Sequence, residues 1–449
     1  MKKALLIVFS ILLVLFIGVA IYISPLMPII TGYAAKAMTS SVFLSGRAQE
    51  DVEAVDLNFS FIKYNKNIVD MEKKTVKSRF LWYTSKAVFD EQYGATLVKK
   101  YDEAEILARP IIDYESTTEL DYSKLWPEGD QVITRIHRNV DYAALSQAYE
   151  NAFSNEIPYY GTRALLVVHE GELIAEDYAE GFDSQTRLLS WSIAKSVTNA
   201  MVGILVKEGK VDIYDPILMT AWENTEKAKI TWNDLMHMCS GLEWEENYGN
   251  ESDVNVMLHK TGDFGIYTAN KKVESAPNEV WEYSSGSTNI ISYKIRELFE
   301  NDLDYYNFPY DELFSKINIK SAVFETDPSG TFVGSSYLYA TARDYARFGL
   351  LYLNDGVWQN ERILPEGWVD YTRTPVEASD GKYGAFFWTN NSKQMPDAPA
   401  DTYFCQGYDG QWIMIVPSKE LVVVRLGDST KQEYDRNIMM KEIMLAFPG

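Results

Sequence analysis

SWSIAKSVTNAMVGILVKEGK, residues 190–210, decides how the rest of the chain is read. Ile193, Val197, Met201, Ile204 and Leu205 recur at helical spacing, and Gly209 stands where a helix would stop. Ser192-Ile193-Ala194-Lys195 opens that helix with the pattern S-x-x-K. Positions i and i+3 share a helix face, so the Ser192 hydroxyl and the Lys195 amine can meet. The helix N-terminus adds positive potential, which stabilises an oxyanion formed when the serine attacks a carbonyl. A lysine serves as a base near neutral pH only if its pKa falls by about three units from about 10.4, a shift that buried lysines reach. Ser60–Lys63 and Ser379–Lys382 also match S-x-x-K. Neither opens an apolar helix, and Ser379-Asp380-Gly381-Lys382 reads as a turn.

Working outward, DYAALSQAYENAF (141–153) has helical spacing of its apolar residues. ALLVVHEGELIAEDYA (164–179) reads as two strands around Glu170-Gly171. WIMIVP (412–417) and ELVVVRLG (420–427) are two further strands, and YDRNIMMKEIMLAF (434–447) is a closing helix. Strands at both ends with helices between predict an α/β (α+β) domain over 142–449, with one sheet built from both ends and a helical middle. Residues 36–141 form an N-terminal extension of no assigned role. Its runs SRFLWYT (78–84) and AVFDEQYGATLV (87–98) are strand-like.

The first 35 residues are a segment apart. Lys2 and Lys3 precede an uncharged run from Ala4 to Ala35, nearly all apolar from Leu5 to Ile23. About 20 such residues span a bilayer as a helix. A cleaved secretory signal has a shorter apolar region with a small-residue site close behind it. The nearest such site, Ala35-Lys36-Ala37, is distant, so an uncleaved transmembrane anchor is favoured over a cleaved signal. With Lys2 and Lys3 inside, the remainder is expected outside the cytoplasm, periplasmic or extracellular.

Composition limits the chemistry. A net charge of −22 repels phosphate backbones and argues against nucleic-acid binding. The four histidines and two cysteines contain no H-E-x-x-H or C-x-x-C pattern. No cofactor or metal is predicted, since a metal would need ligands gathered from distant segments.

Residues 190–217, ITWNDLMHMCSGLEW (230–244), WEYSSGSTNIIS (281–292), SYLYATARDYARFGLLYLNDG (336–356) and ILPEGWV (363–369) occur in that order. As an ordered set they resemble the serine β-lactamase-related, penicillin-recognising hydrolases, in the class C-like branch with esterases and 6-aminohexanoate-dimer hydrolase. The resemblance covers roughly residues 160–449. It implies an antiparallel β-lactamase-like sheet with a helical subdomain, and acyl transfer to a small ester or amide. It implies that Ser192 is the nucleophile, that Lys195 is its partner and base, and that Tyr283 relays protons. Ser285 falls where the family's Y-x-N motif carries asparagine. A third motif, usually K-T-G or H-T-G, falls near Phe404–Gln411 and is degenerate, with Cys405 near the basic position. Cys405, Gly407, Gly410 and Gln411 are thereby candidate substrate contacts. The Ser192 N–H and one N–H from the strand near Cys405–Tyr408 would form the oxyanion hole. Without a basic residue at Cys405, neutral esters and amides are expected to outrank carboxylate-bearing β-lactams and peptides. Arg373 and Lys382 are possible substitutes for that charge. An acyl-binding sensor and a DD-peptidase or β-lactamase are the competing functions that the resemblance allows.

Overall fold

The computed structural model describes residues 2–133, 135–430 and 432–448. They form two compact units. One comprises residues 1–108, 245–263 and 327–329; the other comprises 109–244, 264–326 and 330–449. The expected boundary at residue 142 falls inside the second unit.

In the first unit the uncharged run divides in two. Lys2–Ile23 forms helix α1, along which Leu5, Leu6, Ile7, Phe9 and Leu12 stand exposed. Among the described residues no helix is long and apolar enough to cross a membrane. The expected spanning helix therefore gains no support from the fold. After Pro25 the chain re-enters a helix, α2 (Met27–Phe43), whose Met27, Ile30, Ala34, Ala35 and Met38 are buried. The segment expected over 1–35 is thus corrected: from Met27 on, it is core. Helix α2 packs on an antiparallel meander of β1 (Lys66–Asp70), β2 (Thr75–Phe80), β3 (Tyr83–Asp90) and β4 (Gly94–Leu97). Ile30, Ala34 and Met38 meet Val52, Leu57, Ile62 and Val76 in its core. The run 78–84 spans the β2–β3 turn, and the run 87–98 spans β3 and β4, so each strand-like stretch is part of a hairpin.

In the second unit, helix α3 (Tyr142–Ala152) leads into the hairpin β5 (Thr162–His169) and β6 (Glu172–Tyr178). The central helix α4 (Ile193–Lys207) and helices α5 (Ser285–Glu297) and α6 (Ala342–Leu353) follow. Strands β7 (Trp388–Thr389), β8 (Tyr403–Gly407), β9 (Gln411–Val416) and β10 (Leu421–Gly427) and helix α7 (Arg436–Leu445) end the chain. The antiparallel sheet runs β7-β8-β9-β10-β5-β6, so strands from both ends of the domain are neighbours, as expected. One face buries Leu165, Val167, Met414 and Val423 against Leu145, Ala148, Met440 and Ile443 of α3 and α7. The other face carries α4 and α6. Gly349 of α6 has no room for a Cβ, which would crowd Val422 and Ile413, so this helix backbone lies directly on the sheet. Ile193–Leu205 of α4 are all buried, and its polar members Lys195, Ser196, Thr198 and Asn199 are hydrogen-bonded there.

Arg343 and Asp344, neighbours in sequence at the start of α6, take different partners. Arg343 bridges Glu176, and Asp344 accepts from Arg347 at 2.6 Å and from the Ser321 hydroxyl at 2.6 Å.

Candidate active site

Trp191 has φ +45°, a left-handed conformation rare for a bulky side chain. The chain then turns into α4 with Ser192 at its N-cap. Lys195 follows one turn later and is 1% exposed. Its Nζ lies 2.9 Å from Ser192 Oγ, 3.0 Å from Ser285 Oγ and 2.9 Å from the Ser335 carbonyl oxygen. The carbonyl can only accept, whereas both hydroxyls can donate or accept. The three oxygens therefore suit an ammonium that donates three bonds. They equally suit a free amine that donates two and takes a proton from Ser192 with its lone pair.

Tyr283 is brought to the same place, with its ring centroid 4.9 Å from Lys195 Nζ. Its ring also contacts Trp388 at 5.5 Å and Tyr383 at 5.8 Å. Ser284 caps α5 by accepting from Ser287 N–H at 3.0 Å, which sets Ser285 as the first helical residue and turns its hydroxyl to Lys195. Serine at this position thus does directly bond the lysine.

Ser335 was missed from the sequence, because it acts through a backbone carbonyl that every residue type possesses. Its hydroxyl is held by Asn289 Nδ2 at 3.0 Å. Gly334, just before it, has no space for a side chain, because a Cβ would run into Ser292 Oγ and Thr198 Oγ1. The small residues of Val333-Gly334-Ser335-Ser336 were the available signal.

The third-motif residues divide. A Cβ on Gly407 would meet the Ser190 carbonyl oxygen, so the end of β8 lies against the residues leading to Ser192. Trp191 contacts Tyr408 and Tyr337 at 5.7 and 6.1 Å between ring centroids. Cys405, expected to touch substrate, is fully buried instead. Burial pushes its thiol up to about 12, with the Ser196 hydroxyl as a hydrogen-bond partner. Gln411 is also structural rather than substrate-facing. Its Nε2 donates to the carbonyls of Tyr408, Asp409 and Gly427 at 2.9, 3.0 and 2.8 Å, and its Oε1 accepts from Gly427 N–H at 2.9 Å. Gly410 has φ +79° and lies against the Arg425 guanidinium, so it serves the turn between β8 and β9. The two cysteines, Cys239 and Cys405, are both free thiols. Arg373 pairs with Asp370 at 2.7 Å and Lys382 with Asp380 at 3.5 Å, each beside its own partner on the surface.

A helix-start serine bonded to a buried lysine, with a tyrosine and a glycine strand end beside it, is an arrangement suited to a serine hydrolase. A family model described as Beta-lactamase matches residues 161–442, more than half of the chain, and the chain belongs to that family, among the serine β-lactamase-related hydrolases. It is 25% identical over 226 residues to a 6-aminohexanoate-dimer hydrolase of Paenarthrobacter ureafaciens, a match spanning 46% of this chain and 56% of that relative. Among solved structures, it is similar in fold to a D-stereospecific amidohydrolase from Streptomyces sp., with TM-score 0.51 and 14% identity over 67% of this chain and 98% of the other. A class C beta lactamase from Rhodobacter sphaeroides is also similar in fold, with TM-score 0.50 and 15% identity over 68% and 99% of the two chains.

Proposed function

We propose that the chain hydrolyses neutral esters or amides through an acyl-enzyme on Ser192. The observation that carries this reading is the set of three oxygens around Lys195 Nζ, one of them the Ser192 hydroxyl. Ser192 Oγ attacks the carbonyl carbon, and its proton passes to Lys195 Nζ. The N–H at the start of α4 and one from the end of β8 near Tyr408 hold the oxyanion. As the tetrahedral intermediate collapses, Tyr283 carries the proton from Lys195 to the departing alcohol or amine. Water then attacks the acyl carbon, its proton returns by the same route, and Ser192 Oγ leaves with a proton.

The aromatic walls and the missing charge support a neutral substrate. Trp191, next to Ser192, contacts Tyr337 and Tyr408, and Tyr283, over Lys195, contacts Trp388, so aromatic side chains flank the pair. Cys405 is a buried neutral thiol and Gln406 accepts from Arg436, so neither supplies a cation for a substrate carboxylate. A charge-assisted hydrogen bond contributes about 1.5–3 kcal/mol, enough to shift preference by tens to hundreds of fold. Placement outside the cytoplasm, with α1 holding the chain to a membrane, belongs to the same proposal and rests on Lys2, Lys3 and the apolar run behind them. The test is turnover of p-nitrophenyl acetate and butyrate by the purified chain. Steady hydrolysis that disappears in Ser192→Ala is expected. No turnover by folded protein would instead favour an acyl-binding sensor of the same fold.

A further inference from the structure

We propose that His137, His169 and Glu170 form a zinc site that clamps the β5–β6 hairpin to the segment preceding α3. One ligand atom from each of the three residues lies within 4.8 Å of the others. His137 Nδ1 is 3.3 Å from Glu170 Oε2, and His169 Nε2 is 3.4 Å from Glu170 Oε1. Two donors about 2.0–2.1 Å from a tetrahedral zinc stand about 3.3–3.4 Å apart, which is the distance of each nitrogen from its nearer Glu170 oxygen.

The outer hydrogen bonds aim both rings. His169 Nδ1 is 3.1 Å from the Lys419 carbonyl oxygen, which can only accept. That fixes the proton on Nδ1 and leaves the Nε2 lone pair facing Glu170. His137 Nε2 is 3.2 Å from Glu172 Oε2; with the ring proton donated to that carboxylate, Nδ1 faces the same place. A histidine ligand whose second nitrogen donates to a carbonyl or carboxylate is the common arrangement around bound metals. Both rings are buried, at 8% and 4% exposure, whereas the Glu170 side chain is half exposed and open to an incoming ion. With a neutral ring, the His137 Nδ1 lone pair faces a Glu170 carboxylate oxygen with no hydrogen between them, and a cation relieves that repulsion.

Asn139 completes the set. Its Nδ2 lies 3.1 Å from His169 Nε2 and 3.3 Å from Glu170 Oε1. A half-turn of the amide brings Oδ1 to this position as a fourth, oxygen ligand. Two imidazoles with oxygen donors suit zinc among the abundant divalent ions. The site is remote from the nucleophile within the sheet. His169 pairs with Leu421 at one end of β5, while Thr162 at the other end pairs with Gly427, beside Gln411 and the Gly407 end of β8. Zinc here is a structural tie and takes no part in acyl transfer.

Chelator-treated full-length chain titrated with zinc chloride, followed by calorimetry and by the unfolding temperature, tests the proposal. The wild type should bind one zinc per chain and unfold at a higher temperature when loaded. Glu170→Gln and His169→Gln should each weaken binding at least tenfold and abolish the rise in unfolding temperature. Glu172→Gln, which removes the outer partner of His137 and the 2.6 Å ion pair to Arg135, should weaken it by about 10- to 100-fold. Ser192→Ala should bind zinc as the wild type does, which separates this site from the hydrolytic one. Circular dichroism of the metal-free variants matching wild type shows that they fold. Absence of stoichiometric zinc in the wild type, or binding that survives Glu170→Gln and His169→Gln in folded protein, overturns the proposal.

Discussion

Lys195 has no freedom to wander: two hydroxyls and one carbonyl hold its amine, and the Tyr283 ring covers it. Residues acting as one unit lose most of their effect when any member is removed. Lys195→Ala and Tyr283→Phe should therefore each cost at least about 100-fold in kcat, and the double variant little more than the worse single. Near wild-type turnover by Tyr283→Phe, measured with p-nitrophenyl acetate, would remove it from the proton path. The thiols make the opposite case. Burial pushes Cys239 and Cys405 each up to about 12, so both stay protonated where a free thiol ionises. Neither should react with a disulfide reagent at pH 8 until the chain unfolds. A group with its folded pKa raised stabilises the fold below the unfolded value, here 9.0, and that stability is lost as pH rises toward 12. Stability should accordingly decline above pH 9, and Cys405→Ala should soften that decline. The pairing of Ser192 with Lys195 was legible because helical periodicity alone puts i and i+3 together. Tyr283 and Ser285 needed the resemblance, since nothing local links them to residue 195.

At the scale of elements, small residues set how closely backbones approach. Gly334→Ala should push the Ser335 carbonyl away from Lys195, because Ser292 and Thr198 leave no room for a Cβ. A displacement of about 1 Å can cost about 100-fold, so kcat should fall sharply while KM changes little. A variant with unchanged kcat would show that the carbonyl does not position the amine. Helix α2 offers a test in the first unit. His259 is buried beside Tyr33 of α2, and burial, then Lys99 and Lys36, lowers it to about 3. An unfolded histidine takes up a proton near 6.5, so the stability present above that pH is lost as pH falls toward 3. Hydrogen exchange of α2 should therefore accelerate between pH 6.5 and 4.5. His259→Leu should flatten that dependence, and an unchanged slope would assign the acid sensitivity to other groups. The run of uncharged residues hid the division between α1 and α2, because Pro25 and the contacts of Met27 onward, rather than hydropathy, decide where the core begins. The zinc ligands were equally hidden, since they come together from segments about thirty residues apart and share no spacing motif.

For the whole molecule, strands contributed by both ends of the domain were readable as short apolar runs, and their antiparallel order followed from the resemblance. The division into two units was not, because residues 245–263 leave the hydrolase sequence to join the first unit. Fractionation of cells expressing the full chain should find it in the membrane with its first residues intact. Soluble protein beginning near Met38 would contradict this, and would also require removal of more than half of α2. In a substrate comparison, kcat/KM for p-nitrophenyl esters or a linear amide oligomer should exceed that for nitrocefin and a D-Ala-D-Ala peptide by at least tenfold. A preference for nitrocefin or the peptide would mean that another cation receives the carboxylate. Most direct for the central claim is peptide mass mapping of the chain acid-quenched during turnover of p-nitrophenyl acetate. An acetyl group on Ser192, formed and lost at the rate of turnover, is the predicted result; an unmodified Ser192, or acetyl on Ser60 or Ser379 in its place, would contradict it.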